Sequence, residues 1–474
     1  MAKKNNRVSN KIRALTHEIK DATQGDNRPQ PRLPISARIV LGLLGLILIG
    51  TALFMLPWVS TGDPLTFREA IFTSVSALTV TGLSIISAGA DLNLFGQIIL
   101  LILIQFGGMG YMFIATLLMV FIGRRVNILD RLAVTNSIGL DSPAEILHIL
   151  RHVVYGILAI EGAGTVALFV HWRINDIVPE SDALFMAIFH SISAFCNAGF
   201  DLFGNDALYP TGTPKDNITL IILGTIIFTG GLGIPVLSEL FARSHYRRWS
   251  LHTRVTAVLI AFLVLVGWLF TFIAETTGNG VLINAPLDQQ LVQTWFHSIS
   301  SRTAGFAAFD QFGDITPATQ VLTIVLMFIG CAPASMGGGI TTGTFAVLWI
   351  AMYNYTRGRF TVHVWQRSLS PSIVRRAGAV LTISIGLVLG TTFMILLTHP
   401  NTTVDQVLFE VVSAFATCGL SLDFTSELNN FGLFMIGVMM VWGRLGALTI
   451  VTAIVQSTHK NSPIKYPEEA LLIG

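Results

Sequence analysis

A chain of 474 residues with 12% charged and 52% hydrophobic side chains carries about half the charge of a soluble domain, for which roughly 25% is usual. That excludes a soluble globular protein and points to a multi-pass membrane protein. The net charge of +2 says little until charges are sorted by side, and Cys196, Cys331 and Cys418 form no CxxC pair, so they are read as packing positions and neither a zinc site nor a disulfide framework is expected.

Residues 1–37 are polar, and nine Lys/Arg fall at or before Arg38, so this stretch reads as a flexible cytoplasmic tail without a cleavable signal. Apolar runs then follow at 38–57, 94–122, 149–172, 217–241, 254–276, 316–354, 375–398 and 430–456, each long enough to cross about 30 Å of hydrocarbon. Between the members of each pair lies a moderately apolar segment, at 66–79, 181–195, 289–301 and 402–415, too short to span. Such a segment suits a re-entrant helix, because backbone that leaves the helix at membrane depth is tolerated only inside protein or along water. The expected fold is an all-α integral membrane protein of eight transmembrane helices, in four M1-P-M2 repeats with re-entrant pore loops around one pseudo-fourfold pore. The repeats are placed at 38–122, 149–241, 254–354 and 375–456, followed by a tail at 457–474.

Charge gives an independent check. Of the 29 Lys and Arg, 24 lie in the first tail, in 123–151, 242–254 and 355–376, and after 456. With eight spans these segments share one side, which the positive-inside rule makes cytoplasmic, both termini included. The opposite side carries Asp63, Asp91, Asp176, Asp182, Asp201, Asp310, Asp423 and Glu427. Gathered at a pore mouth they would attract cations; scattered, they are ordinary solvated loop residues.

Each short segment ends on the same pattern: Phe72, Ser76, Gly82 and Leu83; Phe189, Ser193, Gly199 and Phe200; Phe296, Ser300, Gly305 and Phe306; Phe409, Ser413, Gly419 and Leu420. The glycines are 117, 106 and 114 residues apart, a period of one quarter of the chain, and a repeat this regular fixes the architecture. A single glycine after a short helix is ordinarily a C-cap; four in register suggest an ion path. Short residues precede each glycine, giving Val80, Thr81 and Gly82; Asn197, Ala198 and Gly199; Thr303, Ala304 and Gly305; Thr417, Cys418 and Gly419. Carbonyls at these positions can replace part of a cation's hydration shell, with glycine permitting the backbone turn. The preceding helices would aim their negative C-terminal ends at the same centre.

A second glycine cluster is read as beginning the last span of each quarter, at Gly107–Gly110, Gly230–Gly233, Met336–Gly339 and Gly443–Gly446, where it would allow close helix packing. No strand-helix alternation surrounds these glycines, so nucleotide binding by this chain is not expected. Span 316–354 is too long for one straight crossing, and Pro333 with Gly337, Gly338, Gly339 and Gly343 should break it. Arg444 is the one basic residue in the interior of a predicted span, away from its ends, a costly placement that marks either a functional site or an ion pair, with Glu161 the candidate partner within a span. Arg302 is read as bracing the third turn. His190 and His297 occupy equivalent positions without further ligands at metal spacing, and are read as packing residues.

The four patterns, with Gly230-Gly-Leu-Gly-Ile-Pro235, Ala334-Ser-Met-Gly-Gly-Gly339 and Gly443-Arg-Leu-Gly-Ala-Leu448, make the chain resemble the Trk/Ktr/HKT superfamily of potassium transporters over nearly all of 38–474. Within it the Ktr branch fits better than the Trk branch, whose members usually carry two further spans before the first pore unit. The resemblance implies potassium uptake across the bacterial cytoplasmic membrane through a filter with one key glycine per repeat, and stimulation by Na+. It also implies an intramembrane gating loop of Ser335, Met336, Gly337, Gly338, Gly339, Thr341, Thr342 and Gly343, with Arg444 as an electrostatic gate. K+, with Na+ as a second cation, is then cargo and no cofactor is held covalently. The implied partners are a second copy of the chain in a homodimer and a cytoplasmic KtrA-type RCK ring that binds nucleotide itself. Its docking surface would be the basic loops 123–131, 243–254 and 357–376, which equally suit topology signals and membrane-lipid contacts. The apolar ending Leu471–Gly474 would lie near the subunit interface. No nucleic acid is expected.

Three rivals remain open. A sodium or non-selective cation transporter of the same fold differs only in filter geometry. An alternating-access transporter would show inverted repeats, whereas these run parallel. A membrane enzyme lacks any HExxH, paired-Asp or nucleophile-base cluster.

Overall fold

The computed structural model of the chain describes residues 35–110, 146–204, 209, 212–242, 249–359 and 361–446. The first tail through residue 34, most of loop 123–151, loop 243–248 and everything after 446, including the expected ends of spans 94–122 and 430–456, lie outside the described residues.

The described chain is helical apart from one small antiparallel hairpin, His363–Val364 with Arg367–Ser368. The helices are α1 (Ile35–Phe54), α2 (Phe67–Thr79), α3 (Leu94–Met109), α4 (Ile146–Ile174), α5 (Glu180–Cys196), α6 (Asn217–Gly231) and α7 (Ile234–Ala242). They continue with α8 (Leu251–Thr276), α9 (Leu287–Ser300), α10 (Pro317–Ile329), α11 (Thr342–Thr356), α12 (Pro371–Thr398), α13 (Val404–Ala416) and α14 (Asn430–Leu445). Among the described residues, three stretches are long and apolar enough to cross a membrane unaided, Val153–Ile174 of α4, α8 and α12. Their surfaces carry large exposed apolar side chains such as Val166, Leu265 and Phe393, which suits hydrocarbon and would be a liability in water.

Helix starts follow from local chemistry. Thr66 with Glu69, and Thr403 with Gln406, form capping boxes at α2 and α13, each satisfying amide groups that a helix start leaves unpaired. Asn93, Asp216, Thr316 and Asn429 accept amide hydrogens at the starts of α3, α6, α10 and α14. The second helix of each capped pair packs on the next quarter's short helix: α3 on α5, α6 on α9, α10 on α13, and α14 back on α2. That order closes on itself. The short helices are therefore walled in on all sides, and the repeated Phe72, Phe189, Phe296 and Phe409 are all buried.

Two expectations need correction. Span 217–241 is not straight: α6 and α7 meet at a bend of 104°, where Gly233 adopts φ +84 and the Ile234 amide donates to the Ala334 carbonyl at 3.1 Å. A helix amide released by the break finds its acceptor in another loop, which a single-stretch reading could not anticipate. The second glycine cluster, in turn, lies where helices stop: Gly230 and Gly231 end α6, with Gly233 at the bend before α7. Gly110 and Gly446 cap α3 and α14 at φ +80 and +78. In the third quarter the corresponding stop is Gly330, φ +64, after α10, and Met336–Gly339 lies in the loop beyond it. The break inside 316–354 is present, between Ile329 and Thr342.

Candidate functional site

α2, α5 and α13 each end on a residue in the left-handed region, Val80 (φ 58), Asn197 (φ 58) and Thr417 (φ 51). The following amides turn back onto the helix at 2.8 Å, Thr81 to the Ser76 carbonyl, Ala198 to Ser193 and Cys418 to Ser413. Holding a side-chain-bearing residue there costs about 1–2 kcal/mol, so the surrounding contacts must over-determine the turn. The third turn is built differently: Ser300 stands five residues before Gly305, where the other repeated serines stand six before their glycines. α9 ends at Ser300, Ala304 donates to the Ser300 carbonyl at 2.8 Å and the unusual backbone passes to Thr303, φ 138. All four glycines have positive φ, +90 at Gly82, +68 at Gly199, +76 at Gly305 and +91 at Gly419.

These glycines meet. A methyl group built on Gly82 would lie 3.1 Å from the Gly199 Cα, one on Gly199 3.0 Å from the Gly305 Cα, one on Gly305 3.2 Å from the Gly419 Cα, and one on Gly419 3.1 Å from the Gly82 Cα. Each would also collide with the carbonyl oxygen before the next glycine, that of Ala198, Ala304, Cys418 or Thr81. The four turns form a closed ring of backbone in which carbonyls crowd together and no side chain fits. Dense carbonyl oxygen at the ends of four helices favours a cation and disfavours an anion.

The repeated serine has a role that spacing alone did not reveal. Ser76 and Ser413 Oγ accept from the Gly82 and Gly419 amides at 3.0 and 3.1 Å. Ser193 and Ser300 Oγ instead donate to the Phe200 and Phe306 carbonyls, at 2.7 and 2.6 Å. Either way the hydroxyl ties the strand leaving the ring to the helix entering it. Ser413→Ala removes the partner of the half-buried Gly419 amide, at a cost of about 1–3 kcal/mol. The expected result is a lower midpoint of thermal unfolding in detergent, with weakened ion discrimination at temperatures where the protein is still folded.

Beneath the ring runs the loop between α10 and α11. The Arg302 guanidinium donates to the Gly330 carbonyl at 2.9 Å, which is the bracing role read from sequence. Ala332 donates to Gly231 at 3.2 Å and Thr342 to Cys331 at 2.9 Å. Gly338 passes so close to Thr417 that an added methyl would lie 2.7 Å from its Oγ, and at Gly337 it would collide with the Thr303 side chain. Met336 is buried, and the Ser335 Oγ accepts from the Gly337 amide at 3.4 Å. Thr341, Thr342 and Gly343 form the start of α11, with Gly343 packed against Pro333.

Arg444, in the last turn of α14, donates to the carbonyls of Met336 and Gly107, and to that of Gly108 at 2.8 Å. It bridges the loop and the C-terminal end of α3, where helix carbonyls carry partial negative charge. Glu161 accepts instead from Gln105, at 3.1 and 3.3 Å. The three cysteines are free and buried; Cys331 Sγ lies 3.0 Å from the Thr303 hydroxyl and Cys196 beside Gly108. His190 and His297 are buried too, the first between Met186 and Leu202, the second on Thr323.

The loop carboxylates singled out in the sequence do not all gather at the ring. Asp176 lies on the surface near Arg173, whereas Asp201 packs beside Gly212 and Asp423 beside Gly313, in the segments that leave the second and fourth turns.

Residues 45–462 match the TrkH family, described as cation transport protein. The chain is 33% identical to Ktr system potassium uptake protein B of Bacillus subtilis, over 92% of this chain and 96% of that one. It is 30% identical to the potassium/sodium uptake protein NtpJ of Enterococcus hirae, over 94% and 99%. Its fold is similar to the crystal structure of the potassium transporter TrkH from Vibrio parahaemolyticus, with a TM-score of 0.70 at 20% identity, covering 91% of this chain and 87% of that one.

Proposed function

Because this chain belongs to the TrkH family of cation transport proteins, we propose that it takes potassium up across the cytoplasmic membrane through the ring at Gly82, Gly199, Gly305 and Gly419. The observation that carries the reading is closure of the ring: each glycine abuts the carbonyl before the next. The filter is then made of Val80, Thr81 and Gly82, Asn197, Ala198 and Gly199, Thr303, Ala304 and Gly305, and Thr417, Cys418 and Gly419. The cation loses water on entry and gains backbone oxygen in its place, while the four helix ends supply a negative potential.

The wider architecture belongs to the same reading: eight spans in four M1-P-M2 repeats, with the ring facing outward and both termini inside. The loop from Ser335 to Thr342 is the gate, latched by Arg444, whose positive charge opposes a cation directly below the filter. A homodimer, stimulation by Na+ and control by a nucleotide-binding cytoplasmic ring complete the account.

A second reading, uptake of sodium as well as potassium, is favoured by the name of the Enterococcus hirae relative. Both are tested by expressing the chain in cells that lack their own potassium uptake and measuring growth and 86Rb+ entry at low external K+. Rescue with entry that excess K+ abolishes and equal Na+ leaves intact supports the first reading. Competition by Na+ at similar concentrations supports the second, and failure of any expressed, membrane-inserted protein to admit either ion contradicts both.

A further inference from the structure

The segment before α6 places Lys215 at the outer mouth of the ring. Its Nζ donates to the Ala307 carbonyl at 2.9 Å, two residues past Gly305 in the strand that leaves the third turn. The side chain is half-buried. Two carboxylates attract it, Asp201 from the strand leaving the second turn and Asp310 from the strand leaving the third. On its own segment the neighbouring Asp216 is engaged by His171 at 2.7 Å and by the first amides of α6. The ammonium thus sits among oxygens on the approach to the carbonyl ring, the setting an arriving ion would itself require.

We propose that the Lys215 ammonium is a tethered cation in the outer mouth, whose charge sets how strongly that mouth attracts the incoming potassium ion. This rests on the reading of the ring as the ion path. With the ammonium in place, Asp201 and Asp310 are partly neutralised and the mouth captures cations weakly. Once it loses its proton, its share of that neutralisation is gone and the mouth is more negative toward the incoming ion. Burial pushes the ammonium down to about 8, against the pull of Asp201 and Asp310. The sign follows: the lysine is mostly charged at external pH 7 and mostly neutral at pH 9, so potassium capture strengthens as the outside becomes alkaline.

The test is the KM for external K+ in proteoliposomes held at fixed internal pH, for the unaltered protein, Lys215→Gln and Lys215→Arg. The unaltered protein should show KM falling on the order of fivefold between external pH 7 and 9, the effect of about one unit charge near the path in a partly hydrated mouth. Lys215→Gln should give the low value at both pH values, and Lys215→Arg, whose guanidinium stays charged throughout, the high value at both. If both variants keep the pH profile of the unaltered protein, or share one KM at pH 7, the proposal is wrong. Lack of potassium uptake by the unaltered protein would remove the ring reading as well, which distinguishes the two failures.

Discussion

Serine in place of Gly305 is expected to cost the protein most of its discrimination between potassium and sodium, on the order of tenfold, or about 1.4 kcal/mol. Gly305 holds φ +76, a region that side chains with a Cβ occupy at a penalty. The new Cβ would collide with the Cys418 carbonyl and press on the Cα atoms of Gly199 and Gly419, each 3.2 Å away. All three neighbours are backbone, so nothing can swing aside, and relief requires the turns to move apart. A wider ring replaces less of potassium's hydration shell and distinguishes sodium less sharply. The third turn is the informative place for this change, because its repeated serine is one residue nearer the glycine than in the other three and Thr303 already departs from their pattern. Competition of Na+ against 86Rb+ entry, compared at equal amounts of folded protein, gives the answer. Undiminished preference for potassium would count against Gly305 as part of the filter.

Arg444→Ala should raise flux several-fold in the absence of any regulatory partner. The guanidinium ties the Met336 carbonyl of the loop to the Gly107 and Gly108 carbonyls of α3, and under the proposed gate its charge also opposes a cation beneath the ring. Alanine removes the charge and the latch together. Lysine separates them, since a single ammonium keeps the charge but cannot satisfy three divergent carbonyls in one planar fork. Arg444→Lys should therefore fall between the alanine variant and the unaltered protein. Deleting residues 336–342 should resemble alanine if the loop is the obstruction. Unidirectional 86Rb+ flux into proteoliposomes is the readout, and flux that falls or stays level in Arg444→Ala, with the protein still monodisperse in detergent, would rule out the gate.

The parts of this site legible in the sequence were those with side chains to announce them. Phe, Ser and Gly recurring at one-quarter of the chain located the turns, and Pro333 among four glycines located the break between α10 and α11. What stayed hidden depends on backbone. For Arg444 either a gate or an ion pair with Glu161 could be read, because carboxylates are visible in a sequence and the helix-end carbonyls of Gly107 and Gly108 that it meets are not. The bend at Leu232 and Gly233 was missed for the same reason: glycines there fit a packed straight span equally well until the Ala334 carbonyl supplies the Ile234 amide with a partner. The serines were seen as part of a pattern, yet the division between Ser76 and Ser413, which accept from a glycine amide, and Ser193 and Ser300, which donate to the carbonyl of the following Phe, depends on turn geometry that spacing does not encode.

The central claim is that backbone oxygens of all four turns surround one dehydrated cation. Its most direct test is a structure of the protein in thallium or rubidium salts, with the anomalous signal of the ion mapped. The account predicts a peak on the axis between Gly82, Gly199, Gly305 and Gly419, within about 3 Å of carbonyl oxygens from each turn and lost when sodium replaces the heavier ion. A protein that takes up rubidium but shows its ion elsewhere, with the ring empty, would contradict it.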